Sequence, residues 1–190
     1  MGMKQTLAVI NRMEADGIIG RYAVAGAVAA YNYIEATLTE DIDILVSFDE
    51  DPNRVKSGLV ALSTIFSYLK DHGYVEYRKE GLIIEGWPVQ FLPVANGLDE
   101  EALANAEEVE VRDSEIEGTI KTRVLRPEHI VAIALRVGRP KDFIRVAQFL
   151  EEQAVDSTAL RGVLSRHHLL DAWRSFCSRT GINDPGALEC

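Results

Sequence analysis

AVAGAVAAYNYIEATLTEDIDILVSF (Ala23–Phe48) joins an alanine-rich stretch opening on Gly26 to two aspartates, Asp41 and Asp43, which flank Ile42 at the head of an apolar run. Residues 41–48 alternate as a β-strand does, Ile42 and Ile44 against Asp41, Asp43 and Leu45. Side chains at i and i+2 of a strand share a face, so the two carboxylates converge at roughly 7 Å. They repel each other unless a cation lies between them. Hard oxygen ligands at this spacing suit Mg²⁺ or Mn²⁺. The pair by itself also suits an exposed edge strand that stays soluble through its charges.

Gly26 adds a second element. A helix is expected over 27–35, just after it, and free N–H groups at a helix start can hold a phosphate where no Cβ shields the backbone. Nine helical residues travel roughly 14 Å, and the five residues 36–40 can span roughly 17 Å when extended. Asp41 can therefore return beside Gly26, setting a phosphate cradle against a carboxylate pair. Close helix packing is the other role open to Gly26 and its alanines.

Working outward, the patterns predict a helix over 3–15, an extended piece at 21–25 and a helix near 53–71, with Pro52 at its start and Gly73 as its cap. Strands follow at 74–79, 81–85 and 88–93, with Glu85–Gly86 as a tight hairpin turn. A helix at 98–106 and two further short strands complete the front of the chain. From Pro127 onward, four amphipathic helices are expected, with Pro127 and Pro140 at first helical positions and Gly138 as a stop. The fold class is α+β: a mixed sheet flanked by helices over residues 1–125, then a C-terminal helical bundle over 126–190.

No apolar run approaches the roughly 18 residues of a membrane span. Cys177 and Cys190 form neither a disulfide framework nor a zinc pattern, which makes a cytoplasmic location the expectation. His167 and His168 are adjacent, so on a helix they diverge and suit a metal poorly; they read as surface or boundary residues. The net charge of −10 is unevenly placed. Residues 121–180 carry eleven Lys/Arg against six Asp/Glu, a net +5 that leaves −15 on the rest. Such a chain is a poor general nucleic-acid binder, yet its basic segment can grip one anion locally.

Gly26-Ala27, thirteen residues, then Asp41-Ile42-Asp43-Ile44-Leu45-Val46 resembles the signature of the nucleotidyltransferase superfamily with the DNA polymerase β-like fold. Thr39 two residues before the first aspartate is similar to the bacterial branch that includes AbiEii-type toxins and minimal nucleotidyltransferases. IALRVGRPKDFIRVAQFL (133–150) resembles that branch's helical motif of a basic residue, a Gly-Arg turn and Lys-Asp. The likeness covers roughly residues 20–150.

The resemblance implies a nucleotidyltransferase-like sheet and transfer of a nucleotide from an NTP to a hydroxyl of RNA, protein or a small molecule. It implies Mg²⁺ (or Mn²⁺) held by Asp41 and Asp43, a third acid on a neighbouring strand, and catalysis at these positions. Gly26, Ala27, Thr39, Arg139 and Lys141 would contact the nucleotide, and a protein antitoxin is one partner the family allows. Arg139 and Lys141 equally suit helix-end charges paired with Asp142. Three positions depart from the pattern. Ala27 replaces the Gly or Ser of the turn, and Thr37 stands where many relatives carry Arg. Gln90, in WPVQFLPV, occupies the place of the third acid. A neutral amide offers a carbonyl oxygen but no charge and no base, so the site keeps −2 and favours one metal over two. The alternative function is a catalytically degraded relative that keeps the fold and binds nucleotide or a protein partner.

Overall fold

The computed structural model describes residues 2–35, 38–48, 58–113 and 116–182. Thr37, Cys190 and the expected helix start at 52–57 lie outside these. Among the described residues the order is α1 (Met3–Ala15), β1 (Tyr22–Ala25), α2 (Gly26–Ala30), β2 (Ile42–Val46), α3 (Gly58–Asp71), β3 (Tyr77–Arg78), β4 (Gly81–Ile84) and β5 (Trp87–Pro93). Then come α4 (Gly97–Ala104), β6 (Glu107–Asp113), β7 (Ile116–Val124), α5 (Pro127–Val137), α6 (Pro140–Glu151), α7 (Ser157–Arg166) and α8 (Leu170–Thr180). The class is α+β, with four consecutive helices at the C-terminal end.

The seven strands form one mixed sheet in the order β3-β4-β5-β2-β1-β7-β6. β2 pairs parallel with β5 and β1 parallel with β7; the other pairings are antiparallel. β2 is therefore the central strand. That removes the edge-strand reading of the aspartates, because charges that deter edge pairing have no such role in the middle of a sheet. Ile42, Ile44, Leu45 and Val46 are all buried, so both faces of β2 are covered except where Asp41 and Asp43 open its N-terminal end.

Two predicted elements are shorter than their patterns. After Ala30 the main-chain bonds tighten, with Asn32 N–H on the Ala29 carbonyl and Tyr33 N–H on that of Ala30. α2 ends there, at five residues rather than nine. The strand expected at 74–79 begins only at Tyr77. Tyr74 N–H is used to close α3, bonding the Leu69 carbonyl, while Gly73 N–H bonds that of Lys70. The Glu85–Gly86 turn forms as expected, both residues at positive φ, the geometry of a primed hairpin turn.

α1 buries Thr6, Leu7, Ile10 and Met13 at helical spacing, and Thr6 Oγ1 donates to the Ile84 carbonyl at 2.9 Å. Tyr22 on β1 is fully buried and ties α1 to β7 through Asn11 Oδ1 (2.6 Å) and Thr122 Oγ1 (3.0 Å). No helix among the described residues is long and apolar enough to cross a membrane.

Candidate functional site

Strand register brings the critical residues into one row. Ala25 of β1 lies opposite Asp43 of β2, and Asp43 lies beside Gln90 of β5. Neighbours in register point to the same face of a sheet, and Asp41 is two residues from Asp43, so Asp41, Asp43 and Gln90 share one face. Gln90 Nε2 donates to Asp41 Oδ2 at 3.2 Å, and Thr39 Oγ1 donates to Asp41 Oδ1 at 3.1 Å. Both Asp41 oxygens are thus oriented. Thr39, expected to face nucleotide, has its hydroxyl turned to Asp41.

Gly26 sits where the chain leaves β1, with φ +60°, the left-handed region that disfavours any side chain. A Cβ built there would lie 2.1 Å from Asp43 Oδ2. The absent side chain therefore makes room for the Asp43 carboxylate itself. With α2 only five residues long, its start supplies far less dipole than the nine-residue helix expected from the sequence.

The opposite wall comes from α6. Lys141, Ile144, Arg145 and Gln148 recur at i, i+3, i+4 and i+7 and line a cleft of about 320 Å³ together with Ala27, Thr39, Asp41 and Asp43. Asp142, Val146 and Phe149, on the other side of the helix, are buried. Gln148 Nε2 holds the segment after α2 by donating to the Glu35 carbonyl at 3.0 Å, and Glu152 Oε2 accepts from Glu35 N–H at 2.9 Å. Asp142 pairs with Arg145 at 3.6 Å rather than with Arg139 or Lys141. Among the described residues neither of those two cations has an ion-pair partner.

Lys79, at positive φ in the β3–β4 turn, also lines the cleft and pairs with Glu40. Reading the sequence missed Lys79 and Arg145. Arg145 stands one helical turn beyond Lys141, so the i, i+4 spacing was a usable signal. Lys79 carried none, because its place depends on the sheet order.

Electrostatics mark Asp43. Burial first, and then the Asp41 charge, push its carboxyl above the usual carboxylate range, against the pull of Lys141, Arg145 and Arg139. A carboxyl whose pKa is raised on folding contributes stability that is full at acid pH and lost as pH rises through the folded value. Asp43→Asn should therefore raise the metal-free melting temperature at pH 7, and the gain should shrink as pH falls toward about 4. Melts of parent and variant across that range test this. A variant that melts lower throughout would show that the carboxylate holds the fold together.

Among the described residues no group of three or more His, Cys, Asp or Glu side chains is placed to hold a metal. The pair Asp41–Asp43 alone cannot cage a cation. It does fit one that keeps waters and takes further oxygens from a phosphate, as Mg²⁺ does. Elsewhere, Glu101 on α4 joins α5 and α7 by accepting from His129, Arg166 and His167, and Arg166 foremost holds its carboxyl down to about 2. That cluster fastens helices together. Neither a protein-family model nor a curated protein matches this chain.

Proposed function

We propose that the cleft binds an NTP with a divalent cation at Asp41 and Asp43, and that the protein is a Mg²⁺-dependent nucleotidyltransferase acting on a hydroxyl of RNA, protein or a small molecule. The observation that carries this reading is that Asp41 and Asp43 share a cleft with Lys141 and Arg145 and make no ion pair with either, Arg145 being paired with Asp142 on its own helix. Acids that face bases only to neutralise them would be expected to make contact. A gap between them suits a cation bound to the acids and a phosphate bound to both cation and bases.

The bound cation would neutralise phosphate charge and polarise the reacting phosphoryl oxygen. This chain's own residues do the rest. Thr39 and Gln90 fix Asp41, Gly26 admits Asp43, and Arg139, Lys141 and Arg145 draw the triphosphate to the cleft. Arg139→Ala and Lys141→Ala should each weaken Mg²⁺–NTP affinity by about 1–3 kcal/mol, the worth of a charge-assisted phosphate contact. Calorimetric titration measures this. Unchanged affinity in both would leave them as ordinary helix-end charges.

Gln90 favours a second reading, a nucleotide-binding protein without transfer. Its amide cannot take a proton from an acceptor hydroxyl, and Glu40, the further acid lining the cleft, pairs with Lys79. One experiment separates the two. The protein is melted with Mg²⁺ and each NTP, then incubated with labelled NTPs and a pool of RNAs and proteins. Ligand that binds only the folded state must raise the midpoint by mass action. A shift with label transfer supports the enzyme, and a shift without transfer supports the binding protein. No shift with any NTP removes both.

A further inference from the structure

Leu38 and Ile144 are the two most exposed large hydrophobic side chains among the described residues, at 98% and 68%. They come from distant parts of the chain, Leu38 from the segment before β2 and Ile144 from α6, yet both line the cleft that holds Asp41 and Asp43. Single exposed aliphatics are ordinary on a protein surface. Two that converge on a concave polar site call for an apolar occupant, because exposing them there gains nothing in the empty protein.

We infer that Leu38 and Ile144 form the surface on which the nucleobase rests and that this surface accepts all four bases nearly alike. The inference rests on the reading of the cleft as an NTP site and adds to it the way the base is recognised. The cleft volume of about 320 Å³ lies at the lower end of the range for small-molecule sites, which suits a nucleotide. The acids and cations account for the phosphates, leaving the apolar residues for the base.

The lack of base selectivity follows from where the polar side chains are committed. Thr39 donates to Asp41, Arg145 pairs with Asp142, and Lys79 pairs with Glu40. Gln148 Nε2 donates to the Glu35 carbonyl and to Glu152 Oε1, which commits the amide nitrogen and leaves the carbonyl oxygen as the side chain's remaining polar group. That oxygen is an acceptor, and every base carries an N–H on its pairing edge that could meet it. Apolar contact with a flat ring distinguishes bases weakly, whereas strong discrimination needs buried polar groups that a wrong ligand leaves unpaired.

Affinities for ATP, GTP, CTP, UTP and inorganic tripolyphosphate, each with Mg²⁺, test this on the whole chain. The comparison uses the parent, Leu38→Ser and Ile144→Ser. Both sites are exposed, so the variants should melt with the parent. The four nucleotides should bind within about threefold of one another and each roughly tenfold more tightly than tripolyphosphate, as partial burial of a base implies. Each serine should cost the nucleotides about threefold to fivefold and leave tripolyphosphate unchanged. The inference is overturned if nucleotides bind no tighter than tripolyphosphate, if the serines weaken both alike, or if one base is preferred by more than about tenfold. Those outcomes leave the phosphate site standing. Binding of neither tripolyphosphate nor any nucleotide removes the NTP reading, and this one with it.

Discussion

Gly26→Ala should lower the melting temperature by about 5–12 °C and abolish the Mg²⁺–NTP shift, an expected loss of about 2–4 kcal/mol. Two costs combine. An alanine at φ +60° pays for a left-handed backbone, about 1–2 kcal/mol. Its Cβ would also meet Asp43 Oδ2 at 2.1 Å, a separation that no side chain tolerates. Either the backbone shifts or Asp43 turns away, and both outcomes spoil the carboxylate pair. Gly17→Ala supplies the control: its φ is +67°, but an added Cβ would meet nothing within 4 Å. It should lose only the backbone cost and keep ligand binding. Should Gly26→Ala melt with Gly17→Ala and still respond to Mg²⁺ and nucleotide, the close fit between Gly26 and Asp43 has no part in the site.

That pair also shows how far the sequence could be read. The strand through Asp43, the helices after Pro127 and the Glu85–Gly86 turn were legible because each is a local pattern: alternation, a proline start, two turn residues. That strand starts at Ile42 rather than Asp41 and ends at Val46 rather than Phe48. Gln90 was legible in part. Alternation separated it from the buried Val89 and Phe91, but that it faces the aspartates depends on β5 pairing with β2, which the sequence left as a condition of the resemblance. The length of α2 was not, because tightened bonds after Ala30 and the burial of Ile34 end it where alanine propensity would continue. The reason for Gly26 was hidden as well. A glycine before a short helix resembles a phosphate cradle from sequence, and only the register of Ala25 with Asp43 reveals a carboxylate filling that space. The α6 wall depended on how a distant helix docks, which spacing within the helix can suggest but not fix.

Gln90 is the residue on which the choice between enzyme and binding protein turns, and restoring an acid there should have the largest effect on activity. Gln90→Glu keeps the side chain's length, and Gln90→Asp tests a shorter carboxylate at the same point of the row. Position 90 is in register with Asp43, and its amide now donates to Asp41 Oδ2. The substitution removes that donor and adds a third negative charge, so the metal-free protein should lose about 1–3 kcal/mol at pH 7. As pH falls, protonation of one carboxyl should relieve the repulsion and return much of the loss. With Mg²⁺ the sign should reverse. Three carboxylates bind a cation more tightly than two, and a cation present at about 100 times its dissociation constant returns about 2.7 kcal/mol. Melting should therefore become more metal-dependent than in the parent. If the parent is a weakened transferase, label transfer from NTP should rise in at least one of the two variants, because a carboxylate can now accept the acceptor hydroxyl's proton. Greater metal dependence without any transfer would mean that the cation site is real and that catalysis lacks more than one acid. A melting temperature indifferent to Mg²⁺ in both variants would show that Asp41, Asp43 and position 90 form no cation site at all.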